Sequence, residues 1–110
     1  MRRLELDATR WRSVADFYDD LLRALGACAG HRRSPDALIE SMIWGGLTEV
    51  APPYVVSVTG LEAACPAVRA YVSDISHIIA DARAWRRANT GVDVEVGLVA
   101  EARGADRAAS

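Results

Sequence analysis

At 110 residues with 51% hydrophobic side chains, the chain is sized for one domain around one core. Its formal charge of −2 excludes the basic footprint of a general nucleic-acid binder, although all 13 basic residues are arginine. No run approaches the ~20 apolar residues of a membrane span, and the opening MRRLELDATRW has no apolar stretch behind its arginines, so no signal peptide is expected and the protein is expected to be soluble and cytoplasmic.

Leu4 and Leu6 alternate in RRLEL, the pattern of a half-buried strand. Val14, Phe17, Tyr18, Leu21, Leu22 and Leu25 then recur at helical spacing, with Ser13 as N-cap, Asp16 in the first turn and Gly26 just past the end. A second, shorter helix has Ser34 as N-cap, Pro35 at the first helical position and Asp36 behind it, and it stops at Gly45-Gly46. Tyr54 to Val58 follows Pro52-Pro53 and is rich in valine, as a strand. Pro66 opens a long helix whose apolar stripe is Val68, Tyr71, Val72, Ile75, Ile78, Ile79 and Ala82, and Gly91 stops it. Val92, Val94 and Val96 alternate in VDVEV as a last strand.

The order β-α-α-β-α-β puts helical crossovers between successive strands. The expected fold is therefore α/β, a small three-stranded parallel sheet packed with three to four helices, in a single domain over residues 1–100. The tail EARGADRAAS (101–110) is small and polar enough to be disordered. Cys28 and Cys65 are too few for a disulfide framework and lack metal-ligand spacing, so both are expected to be reduced, buried thiols.

The second helix carries the one pattern that asks for a chemical reading. Leu38 and Met42 are four apart and face the core, with Ala37 and Ser41 beside them. Asp36, Ile39, Glu40 and Ile43 stand at offsets 0, 3, 4 and 7, a stripe on the other side. A first-turn acid such as Asp36 stabilises a helix through its dipole without any further role. Glu40 repels Asp36 by a few tenths of a kcal/mol. Two isoleucines beside two acids, with Trp44 at the helix end, form a candidate interaction patch; a solvated face is the competing account.

These residues also carry a resemblance. Asp36-Ala37-Leu38 with an acid at Glu40, the run GGLTEVAPPYVVSVTGL, the first-helix segment DFYDDLLRAL and the alternating last strand after a glycine resemble the barstar family of intracellular ribonuclease inhibitors, over most of residues 4–99. The resemblance implies a barstar-like fold and an inhibitor or immunity protein without catalysis of its own. Its second helix and preceding turn would plug a ribonuclease or toxin nuclease, with Asp36 and Glu40 imitating RNA phosphates. His31 would stand where the family has a stacking ring, with a surface turn histidine as the alternative. Ser34 stands where the family has Asn and reads first as a helix cap. Ile39 would take the place of an aromatic contact, and Ile43 and Trp44 would follow on the next turn.

Three departures bear on the partner. Arg32 replaces a glycine of the family's turn, Ile39 replaces a tryptophan, and Arg86 falls where the family has an acidic contact. Arg83, Arg86 and Arg87 would then form a basic strip, either repelling a cationic active site or simply favouring the helix end. The implied partner is a protein, and no cofactor, metal, membrane or direct nucleic-acid contact is expected; the free chain is expected to be monomeric. A barstar-fold module with a non-nuclease partner is the alternative. An enzyme built on His31, Asp36 and Glu40 is the weakest reading, because a phosphate loop, a metal-ligand cluster and nucleophile–base spacing are all missing from the sequence. His77 lies in the long helix, partly buried or at the surface.

Overall fold

A computed structural model describes residues 1–46 and 48–101. Three strands, β1 (Arg2–Asp7), β2 (Tyr54–Thr59) and β3 (Val96–Glu101), form one parallel sheet in the order β1-β2-β3. Helices α1 (Val14–Leu25) and α2 (Pro35–Ile39, continued by a π-helical turn Glu40–Trp44) connect β1 to β2, and α3 (Pro66–Thr90) connects β2 to β3. Short 3-10 turns at Ala8–Arg10 and Leu61–Ala63 lead out of β1 and β2. The architecture is the expected α/β one. None of the described helices is long and apolar enough to cross a membrane.

Sequential strand order with crossovers of one hand stacks the helices on one face of the sheet. That face carries Leu4, Leu6, Tyr54, Val56, Val58, Val96 and Leu98, all buried. The reverse face is mixed, with Val55 and Val99 among Arg3, Glu5, Ser57 and Glu101; there Arg3 donates to Ser57 Oγ and pairs with Glu101.

Helix α1 begins where the Asp16 carboxylate accepts from the backbone N–H groups of Arg12 and Ser13 and ends at Gly26, whose φ of +66° suits a residue without a Cβ. A side chain at Gly26 would also meet Glu49 at 2.9 Å. Phe17, Tyr18, Leu21 and Leu25 fill the core. The Tyr18 and Tyr71 hydroxyls meet at 2.6 Å and tie α1 to α3; burial first, and then this bond, push the Tyr18 phenol well above its usual range. Burial alone raises Tyr54 to about 12.

Four expectations are corrected. The last strand starts at Val96, not Val92: Arg83 of α3 grips Asp93 through Nε and Nη2 at 2.7 and 2.8 Å, so residues 92–95 run past the helix end and pairing with Tyr54 begins at Val96. Glu101, assigned to the tail, belongs to β3, while 102–110 lie outside the described residues. Cys28 and Cys65 are free, as expected, but exposed, because one lies in the loop after α1 and the other at the N-cap of α3. In α3, Val68, Val72, Ile75 and Ile79 are buried as expected, whereas Ile78 is 39% exposed.

Replacing Leu38, fully buried beneath α2, with alanine is expected to cost about 2–5 kcal/mol, read as a lowered urea midpoint with an unchanged slope.

Candidate functional site: the acidic ridge of α2

Five α-helical residues would not hold a helix in water by themselves, so α2 depends on its ends and its inner side. Ser34 Oγ accepts from the Ala37 N–H at 3.2 Å, and Pro35 supplies a preset first turn. At the far end Gly45 and Gly46 take φ values of +84° and +137°, which residues with a Cβ adopt only with strain. Beyond them, Glu49 and Val50 donate backbone N–H groups to Leu25 O, each at 3.1 Å. The segment after α2 is thereby stitched to the end of α1.

Leu38, Met42 and Ile43 bury the inner side of α2. Ile43 departs from the expected outward stripe. The turn Glu40–Trp44 is π-helical, so each residue advances by a smaller angle than in an α-helix, and Ile43 swings from the acid side toward Met42 and the core. His31 departs too. Its ring is 9% exposed; one nitrogen bonds Arg32 O at 2.8 Å and the other Ser41 Oγ at 2.7 Å. The carbonyl can only accept, so Nδ1 carries a proton and, in the neutral ring, Ser41 donates to Nε2. His31 is a tie between the loop and α2 in the free protein, not a presented ring. Arg33 holds the same loop to α1 through Asp19.

On the outer side Asp36 and Glu40 are exposed and Ile39 is half-buried. Among the described residues neither carboxylate makes an ion pair or a side-chain hydrogen bond. The two form a ridge between two hollows. One is a groove of about 950 Å³ lined by Gly30, Arg32, Ser34, Ala37 and Gly45 among others. The other, about 540 Å³, is enclosed by Asp36, Ile39, Glu40, Trp44, Ile78 and Ala82. Among the described residues no group of three potential ligands could hold a metal ion. His77 lies exposed on α3, its Nδ1 against Ser73 O at 2.9 Å.

The expected basic strip is largely consumed inside the molecule. The Asp93 carboxylate raises the Arg83 pKa by hydrogen bonding, and the same bond lowers that of Asp93. Arg86 Nη1 donates to Ile43 O at the end of α2. Its guanidinium lies 4.6 Å from the centroid of the Trp44 ring, and Trp44 in turn meets Trp85 edge-on at 6.3 Å. Arg86 thus clamps α2 to α3. Sequence reasoning missed this clamp and Trp85; the spacing of Ile78, Ala82 and Trp85 at offsets 0, 4 and 7 was the available signal. Arg86→Ala, losing one hydrogen bond to a charged group and one cation–π contact, is expected to cost about 1–3 kcal/mol. The check is a denaturant melt, with near-UV dichroism showing a looser Trp44.

The family model described as Barstar (barnase inhibitor) matches residues 1–98. A comparison with curated proteins returns no match. The parallel sheet, the capped second helix with its outward acids and a family match over nearly the whole chain agree with one another, and the chain belongs to the barstar family.

Proposed function

We propose that this protein is an intracellular inhibitor or immunity protein that occupies the active site of a ribonuclease or toxin nuclease. The observation that carries the proposal is that Asp36 and Glu40 stand exposed and unpaired among the described residues while Arg33, Arg83 and Arg86 nearby are engaged elsewhere. Two fixed carboxylates one helical turn apart offer a cationic cleft what successive RNA phosphates offer it. They cost little to bring in, because α2 is already ordered. Ile39 and Trp44 border the ridge and exclude water, which strengthens each pair as the cleft closes.

The remaining residues of the candidate site support these contacts from behind. Ser34 caps the helix, His31 holds the approaching loop and Ile43 roots the helix in the core. The chain performs no chemistry of its own in this role and acts in the cytoplasm. Arg86 is held against Trp44 and Ile43 O but keeps its charge, so the repulsion expected there counts against barnase itself and favours a different toxin nuclease.

The test is inhibition of RNA cleavage by a panel of basic ribonucleases and toxin nucleases, barnase among them. Wild-type protein is expected to inhibit at least one stoichiometrically, with association slowing as salt rises. Asp36→Ala and Glu40→Ala are each expected to weaken that complex by 2 kcal/mol or more, roughly 30-fold, without lowering the melting temperature. Unchanged affinity in the double variant, or no inhibition across the panel, overturns the proposal.

A further inference from the structure

The groove beside the acidic ridge also holds a charge of the opposite sign. Arg32, Asp36 and Glu40 line one hollow of about 950 Å³, and all three are exposed. Two arginines stand side by side in the loop before α2, and they part ways. Arg33 turns to α1 and pairs with Asp19. Arg32 makes no ion pair among the described residues, although two carboxylates share its groove. Its backbone is nonetheless held: the Arg32 carbonyl accepts from His31 Nδ1 at 2.8 Å, and the other ring nitrogen bonds Ser41 Oγ on α2. An unpaired guanidinium thus extends from an anchored base next to two unpaired acids.

A partner surface made only of cations would suit the acids and be repelled by Arg32. The groove fits a surface that sets an acid beside its cations, and a cleft that cleaves RNA has a reason to carry one. The 2′-hydroxyl that attacks the phosphate must lose its proton to a base, which sits within hydrogen-bond reach of the sugar. Where that base is a carboxylate, it faces Asp36 and Glu40 once they stand in for the phosphates, and like charges repel. A guanidinium brought alongside offsets the repulsion and grips both oxygens of the base. An imidazole base offers no such grip.

We infer that Arg32 determines which nuclease is blocked: it binds the carboxylate that serves as general base in the cleft and restricts inhibition to enzymes built that way. The inference rests on the reading of α2 given above. Asp36 and Glu40 speed association with a cationic cleft, whereas Arg32 opposes it slightly and acts on dissociation. An arginine merely tolerated in the groove predicts the reverse, tighter binding on its removal.

The experiment uses full-length protein and the nucleases that the wild type inhibits in the panel, each also prepared with its base carboxylate exchanged for the isosteric amide. Association and dissociation rates are measured directly, because the amide enzymes lack their base. Arg32→Ala is expected to weaken the complex with the intact enzymes about tenfold. The loss comes through faster dissociation, with an association rate equal to or above that of the wild type. Against the amide enzymes the same substitution is expected to cost nothing, the signature of a direct pair. Arg32→Lys, which keeps the charge without the fork, is expected to recover part of the loss, and melting temperature checks that each variant folds. Wild-type or tighter binding by Arg32→Ala, with Asp36→Ala and Glu40→Ala impaired, overturns the role of Arg32 and leaves the ridge standing. A tenfold loss that persists against the amide enzymes, or inhibition confined to enzymes whose base is an imidazole, overturns the carboxylate assignment. Unchanged binding by the double Asp36→Ala, Glu40→Ala variant, or no inhibition at all, overturns the ridge reading and this inference with it.

Discussion

The anchoring of α2 into the core by Leu38, Met42 and Ile43 is the constraint on which the rest depends. A helix this short has no stability to spare, and it carries two like charges one turn apart that push against each other. Apolar burial on the inner side offsets both costs and, because side chains on a helix cannot all face inward, commits Asp36 and Glu40 to solvent. Capping by Ser34, the His31–Ser41 tie and the Arg86 clamp then remove the remaining freedom of the element. What α2 turns to solvent is an ordered pair of carboxylates.

The arginines show how a surface of mixed charge is turned into one with a definite polarity. Arg33 is spent on Asp19, Arg83 on Asp93, and Arg86 on Ile43 O and the Trp44 ring. Each planar fork satisfies a fixed acceptor or stacks on a ring, which an ammonium does less well. Among the described residues the acids of α2 are left out of this pairing, with the exposed Arg32 lining the groove beside them.

Much of this was legible in the sequence. The periodic apolar residues and caps of α1 and the proline–glycine punctuation of α2 and α3 are local signals, and the structure follows them. The order of strands and crossovers implied a parallel sheet for the same reason. The failures are tertiary. The alternation in 92–96 looks like a strand in isolation, but Arg83 takes Asp93, and the register with Tyr54 selects Val96 onward. The outward placement of Ile43 followed from an ideal helical angle, which the π-helical turn does not keep. By resemblance His31 reads as a stacking ring, with a surface turn histidine as the alternative; its buried bond to Ser41 depends on a loop path that spacing does not encode. Arg86 as a clamp was equally hidden, since residues 43 and 86 meet only once α2 packs on α3.

The widened turn at Glu40–Trp44 gives this family member a built-in length tolerance. A π-helical turn accommodates one more residue than the α-helix would over the same span. Loss of a single residue there would tighten the backbone to ordinary α geometry over the same span, leaving what precedes and follows the turn near its present place. Side chains within the turn would change their facing, while Asp36, at the start of the helix, would stay where it is. A change in the length of this short segment can therefore alter which of its side chains face α3 while sparing the acid at the start of the helix.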